Sequence, residues 1–280
     1  MNEAPSLPTP NYSAPAQRAP DRSLTPEQIA FYRENGYLAV DAVMPAEEVA
    51  TVRRIYDRLF NEDRAKTEGD LYDLTGEKTK GKSESVPQIL QPAKYAPELL
   101  ETQLVANIKA MMKQLHGPET RMVGDHAINK PPHGNSPTPW HQDEAYWDPA
   151  KEYSGLSVWV ALQPATKVNG CMCFVPGSQK GEVVPHRPIG GNPLTPGLEV
   201  VPSELQAAKA VACELPAGGA TFHAERTLHF TAANRSDDFR RAYIAVGMAF
   251  ERKRDTARKF PWQEEQAAAR AAKAAAAKSA

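Results

Sequence analysis

The chain has 280 residues, 41% of them hydrophobic, and a formal net charge of −1. That length can bury one large core, and the balanced charge sets up no field that would draw in nucleic acid or an anionic membrane. No run of about 18 apolar residues is present, so no membrane span is expected, and the start lacks the basic-then-apolar pattern of a secretory signal.

Residues 1–22 are rich in Pro, Ala and Ser and lack apolar periodicity, which predicts disorder. A helix is expected from Thr25-Pro26-Glu27, with Thr25 as N-cap, ending at Gly36, and Tyr37–Val40 follows as a short strand. A second helix starts near Met44-Pro45, with Val49, Val52, Ile55, Tyr56 and Leu59 as its buried stripe. The polar stretch Asn61–Ser85 reads as a mobile loop. A third helix is expected over Pro97–Leu115, with Leu100, Leu104, Ile108, Met111 and Met112 inward.

From Arg121 the pattern changes to short apolar runs separated by Pro/Gly turns: Met122–Ile128, Leu156–Leu162, Cys171–Val175, Val211–Leu215, Ala220–His223 and Ala242–Phe250. Such a series predicts an antiparallel sandwich or jelly roll. The expected fold class is therefore mainly β with flanking helices. A single domain is expected over residues 23–252, followed by an Ala-rich charged tail, 253–280, that reads as a solvated helix or a frayed end. The three cysteines, Cys171, Cys173 and Cys213, form no disulfide framework and fit a reducing, cytoplasmic setting. Cys171 and Cys173 lack a second Cys/His pair at zinc spacing and read as strand residues.

The most informative stretch is His141-Gln142-Asp143. In an extended strand, residues i and i+2 point to one face, so the imidazole and the carboxylate can grip one metal ion. His229 would complete a set of two His and one carboxylate, which leaves open positions on the metal and points to non-haem Fe(II) oxygenases. Arg240, further along, is a fixed cation suited to a dicarboxylate cosubstrate. His223 is the nearby rival for the distal ligand. His229 is preferred because Arg240 follows it, and His223 reads as a strand residue near the pocket. His133 reads as a loop residue, solvated or touching substrate, while His116 and His186 have no partner pattern and default to the surface. Arg241 should point away from Arg240, exposed or paired.

Taken together, Asn129-Lys-Pro-Pro132, Trp140-His-Gln-Asp143, Val158-Trp-Val-Ala-Leu162, Asn169-Gly170, Val175-Pro-Gly-Ser178, and His229 with Asn234, Ser236 and Arg240 resemble the phytanoyl-CoA dioxygenase family of Fe(II)/2-oxoglutarate oxygenases. The resemblance runs from about Leu24 to Phe250. It implies a double-stranded β-helix, which is a jelly roll, with Fe(II), 2-oxoglutarate and O2 as cofactor and cosubstrates. By position it makes His141, Asp143 and His229 the iron ligands and Arg240 the partner of the distal 2-oxoglutarate carboxylate. Trp159, Thr231, His126 and Gln88 become further cosubstrate contacts. Related halogenases replace the carboxylate ligand with a small residue, so Asp143 implies an oxygenase outcome such as hydroxylation. Gln142, Lys130 and Trp147, beside these motifs, are candidate contacts to a small-molecule substrate.

Two other classes compete. A cupin-like non-redox metal enzyme usually draws several histidines from two short motifs, unlike this chain. A silent binding protein would not need the intact ligand set.

Overall fold

The computed structural model describes residues 7–75, 86–204 and 209–279. Helix α1, Pro26–Asn35, starts where the Thr25 hydroxyl accepts from the Gln28 N–H and the Gln28 side chain accepts in return from the Thr25 N–H. It ends at Gly36, whose φ of 77° is left-handed and whose N–H caps the carbonyl of Tyr32. Strand β1, Tyr37–Val40, follows, then α2, Ala46–Asn61, and the short α3, Arg64–Thr67. Next come β2, Leu71–Asp73; β3, Pro87–Leu90; α4, Pro92–Tyr95; and α5, Gln103–His116. The expected long helix from Pro97 is broken. Pro97–Glu101 is a 3-10 turn, and extended Thr102 caps α5 by accepting from the Val105 N–H. The Glu48 carboxylate of α2 accepts from the Gln103 and Leu104 N–H groups at 2.9 Å each, which ties the two helices together at a helix N-terminus.

The strands that follow are β4, Arg121–Lys130; β5, Thr138–His141; β6, Lys151–Ala161; β7, Met172–Phe174; β8, His186–Pro188; and β9, Leu198–Val200. They continue with β10, Val211–Cys213; β11, Ala220–Ala224; β12, His229–Thr231; and β13, Arg240–Lys253, before helix α6, Pro261–Ser279. A seven-stranded antiparallel sheet runs in the order β1-β11-β6-β13-β4-β3-β2, and a four-stranded sheet in the order β10-β7-β12-β5. The apolar runs named from sequence each contain a strand. The short strands β2, β3, β8, β9 and β12 lie outside those runs, because they carry no continuous apolar stretch; the extended stretch expected at His141–Asp143 is met only as far as His141, where β5 ends, and Asp143 lies in a 3-10 turn.

The central strands are covered on both faces. Val158 and Val160 of β6 and Tyr243 and Ala245 of β13 pack with Val52, Tyr56, Leu104, Ile108 and Met111 of the helices. The alternate residues Trp159, Ala161, Ala242 and Ile244 pack with Met172, Phe174 and Cys213 of the smaller sheet. That alternation puts one row of β6 and β13 into the space between the sheets, where the site lies. Tyr56 fastens α2 to the large sheet, its hydroxyl donating to the carbonyl of Ile128.

Several expectations change. Residues 7–22 are not free: Tyr12 is buried and its hydroxyl donates to Asp125, while the Asp21 N–H donates to Asn107. An aromatic ring and a buried acceptor give this Pro-rich arm an anchor that composition does not register. Of the expected mobile loop, Leu71–Asp73 pairs with β3, and residues 76–85 lie outside the described residues. The tail begins as a docked element. Trp262 is buried, its indole N–H donates to the carbonyl of Ala145, and the Gln263 side chain donates to the carbonyls of Ala145 and Trp147.

His116 and His186 are not surface residues. His116 Nε2 lies 2.7 Å from the Tyr32 hydroxyl, and His186 is buried, accepting at Nε2 from the Gln142 N–H. Burial pushes each down to about 4. Between about 4 and the ordinary histidine range the unfolded chain takes up protons that the folded chain refuses, so these groups oppose folding increasingly as pH falls through that window. The variant His116→Gln is accordingly expected to lose less stability than the wild type between pH 6.5 and 4. Urea denaturation at a series of pH values checks this, and parallel pH profiles for the two proteins would contradict it.

Candidate active site

β5 and β12 are adjacent and antiparallel, with His229 directly opposite His141. The pairing sets the two imidazole centroids 4.1 Å apart. His141 ends its strand, Gln142 is extended, and Asp143 opens a 3-10 turn that runs to Tyr146. The carboxylate is thereby carried back toward both rings: Asp143 Oδ1 lies 3.5 Å from His229 Nε2 and 3.8 Å from His141 Nε2. One ligand atom from each of these three residues lies within 4.8 Å of the other two.

The hydrogen bonds fix which nitrogen faces the centre. His141 Nδ1 lies 2.7 Å from the carbonyl of Pro139, and His229 Nδ1 lies 2.8 Å from that of Thr227. A carbonyl only accepts, so each Nδ1 carries the proton and each Nε2 offers a lone pair. Burial lowers both imidazoles below the ordinary histidine range, which keeps them neutral, the ligating form. Burial alone would raise the Asp143 carboxyl, but the imidazoles of His229, His223 and His141 hold it well below the usual carboxylate range. Two neutral nitrogen donors and one anionic oxygen converging on one point fit a divalent metal ion.

A cavity of about 260 Å³ opens beside these residues, lined also by Gln88, His126, Trp159, Thr231 and Arg240. Arg240 is 1% exposed, and its Nε and Nη1 have no hydrogen-bond partner among the described residues. Its guanidinium carbon stands 5.0 Å from the Trp159 ring centre. Burial pushes it down to about 10, so it remains a cation at neutral pH. A buried cation with unused donors is costly, and a carboxylate entering the cavity would relieve that cost. Gln88 Nε2 sits 2.8 Å from His126 Nδ1, which makes His126 Nε2 the protonated nitrogen of that neutral ring.

A jelly roll that gathers two imidazoles, a carboxylate and an unpaired arginine at one cavity has the make-up of a non-haem iron oxygenase. The phytanoyl-CoA dioxygenase (PhyH) family matches residues 32–242. Among solved structures, EvdO2 from Micromonospora carbonacea var. aurantiaca, complexed with 2-oxoglutarate, is 33% identical with a TM-score of 0.74, over 85% of this chain and 96% of its own. A probable phytanoyl-CoA dioxygenase of Caenorhabditis elegans is 27% identical over 78% of this chain and 73% of its own. A probable alpha-ketoglutarate-dependent hypophosphite dioxygenase of Stutzerimonas stutzeri is 26% identical over 80% and 78%. The chain belongs to the phytanoyl-CoA dioxygenase family, and is an Fe(II)/2-oxoglutarate-dependent oxygenase.

The other residues singled out from sequence divide. Gln88, His126, Trp147, Trp159, Thr231 and Arg240 all line the cavity. Lys130 and Gln142 do not. Lys130 Nζ donates to the Thr231 hydroxyl at 2.8 Å and to the carbonyl of Ala232 at 3.0 Å, so it braces the strand below the cavity. Gln142 donates to the carbonyl of Arg226 at 2.7 Å and accepts from the Val184 N–H at 2.9 Å. Both side chains, candidate substrate contacts from sequence, are spent on other partners: Gln142 on backbone groups, Lys130 on the Thr231 hydroxyl and backbone carbonyls. His133 is exposed beside Asp237, and Arg241 turns to the other face to pair with Asp57. His223 lines the cavity as expected. Ser157, not singled out from sequence, donates its hydroxyl to Asp143 Oδ2 at 2.6 Å; its signal is the one hydroxyl within the apolar run Leu156–Leu162. Tyr72 and Leu74, also not singled out, line the cavity from the segment read as a loop.

Gln142→Ala strands buried backbone groups and is expected to destabilise the fold by about 1–3 kcal/mol, measured by urea denaturation. An unchanged unfolding midpoint would contradict the bracing role.

Proposed function

We propose that His141, Asp143 and His229 hold Fe(II) and that Arg240 holds the distal carboxylate of 2-oxoglutarate, for hydroxylation of a C–H bond in a small organic molecule. The observation that carries this reading is the buried Arg240 with unused donors in the same cavity as the convergent His-Asp-His set. Iron and 2-oxoglutarate held by these residues would supply the oxidative chemistry: one atom of O2 would go to succinate as CO2 is released, and the other to the substrate C–H.

The chain's own residues bind, orient and keep water out. His141 and His229 present neutral Nε2 atoms, their tautomers held by the carbonyls of Pro139 and Thr227. Asp143 would supply the anionic ligand, at the position a halide would otherwise take. Arg240, backed by the Trp159 ring, receives a carboxylate that Thr231 also meets, and Gln88 and His126 close that side. Tyr72, Leu74, Tyr146 and Trp147 form apolar and aromatic walls suited to the carbon skeleton of a substrate. Residues 23–252 form the catalytic unit in this reading. No described helix is long and apolar enough to cross a membrane, and the three free cysteines suit a reducing compartment, for which we propose the cytoplasm.

Fe(II), O2 and 2-oxoglutarate should give succinate with the wild type, faster once substrate is present, and none with Asp143→Ala. In Arg240→Ala the loss of a charge-assisted contact, about 1.5–3 kcal/mol, raises the KM for 2-oxoglutarate on the order of 10- to 100-fold. Succinate formation by Asp143→Ala at the wild-type rate would remove Asp143 from the site. An unchanged KM would remove Arg240.

A further inference from the structure

The two oxygens of Asp143 have different surroundings. Oδ1 faces the two Nε2 atoms of His229 and His141. Oδ2 faces away from that pair: it accepts from the Ser157 hydroxyl at 2.6 Å and has His223 Nε2 at 3.3 Å. His223 is 2% exposed, lies in the cavity wall, and neither of its ring nitrogens has a partner of good hydrogen-bond geometry among the described residues. Its Nε2 faces this carboxylate oxygen. Ser157 and His223 are direct cross-strand neighbours on β6 and β11. One strand register therefore aims a hydroxyl and an imidazole at the same atom.

We propose that Ser157 and His223 form a clamp on Asp143 Oδ2, with His223 Nε2–H as the second donor, which keeps the carboxylate a one-oxygen ligand. The proposal rests on Asp143 being a metal ligand. Its consequence follows from counting positions. A six-coordinate ion with two imidazoles and a one-oxygen carboxylate has three positions left, enough for a chelating 2-oxoglutarate and for O2. If Oδ2 also turned to the ion, only two would remain and O2 would have none. Donors engaged with Oδ2 oppose that rotation and also hold the carboxylate plane. The alternative, His223 as a further ligand, fits less well. Its Nε2 addresses Oδ2 and not Oδ1, and the set of mutually close ligand atoms comprises His141, Asp143 and His229 without it. Its ring lies beside His229, centroids 4.3 Å apart, and Phe174, 5.4 Å, so its position is set by packing.

The test is anaerobic titration with Co(II), whose visible absorption reports both affinity and coordination number, in the wild type, Ser157→Ala, His223→Phe, His223→Gln and Asp143→Ala, with and without 2-oxoglutarate. Wild type binds Co(II). Ser157→Ala and His223→Phe each bind it about 10- to 100-fold more weakly, with an altered band pattern in the 2-oxoglutarate complex, and thermal unfolding shows both folded. His223→Gln, whose amide can still donate to Oδ2, recovers most of the affinity and the wild-type bands. Wild-type affinity and bands in both Ser157→Ala and His223→Phe overturn the clamp. So does a loss in His223→Phe as complete as in Asp143→Ala without rescue by Gln, which makes His223 a ligand. Failure of wild type itself to bind Co(II), or retention of binding by Asp143→Ala, instead overturns the ligand assignment on which the clamp depends.

Discussion

The antiparallel pairing of β5 with β12 is the contact on which the site depends. It brings His141, from the middle of the chain, opposite His229, from near its end. Two strands of three and four residues cannot sustain this alone. The register also shifts between His229 and Thr231, a bulge of the kind that re-aims side chains beside active sites. The surroundings therefore supply the rigidity. β7 pairs with the other edge of β12, placing Phe174 beside His229. The turn after Asp143 is fixed from below by Glu144, which is fully buried between Arg226 and Arg258, and by the first residues of α6. Removing one member of a buried ion cluster leaves an uncompensated charge, so this cluster links the end of the chain to the geometry of Asp143.

A second constraint is the burial of two basic side chains in register. Arg240 and Lys130 lie opposite each other on β13 and β4, both almost wholly buried. Their energetics differ. Lys130 is satisfied by Thr231 and Ala232, and burial together with the Arg240 charge lowers it well below the ordinary lysine range. Arg240 keeps its charge with donors unspent, leaning on the Trp159 ring. The fold thus carries an unrelieved cost at one position inside the cavity, which is where binding of an anion returns the most free energy. Stability given up at a site in this way is a common companion of function.

Much of this was legible in the sequence, for identifiable reasons. The strands β4, β6, β11 and β13 are long or apolar enough to announce themselves, and Gly36 and Thr25 mark the ends of α1 through cap chemistry. The His-x-Asp stretch and the distant His and Arg are few and chemically distinctive. What sequence could not give was the assignment of side chains whose partners are remote in the chain. Gln142 and Lys130 sit beside the motifs in sequence yet spend their polar groups on Arg226, Val184, Thr231 and Ala232. Ser157 and His223 look like ordinary strand residues until cross-strand register sets them over one carboxylate oxygen. Tyr12 and Trp262 lie in segments whose composition suggests disorder, because one buried aromatic outweighs many small polar neighbours without altering the average.

The proposed function requires one cavity to take up both the metal and a chelating 2-oxoglutarate. The most direct test is to add 2-oxoglutarate, without oxygen, to the Fe(II)-loaded protein and to follow the weak visible charge-transfer absorption of the iron–2-oxoglutarate chelate. The band is expected to form in the wild type and to be absent in His229→Ala. Iron that binds to the wild type but gives no band on addition of 2-oxoglutarate would contradict the proposed function.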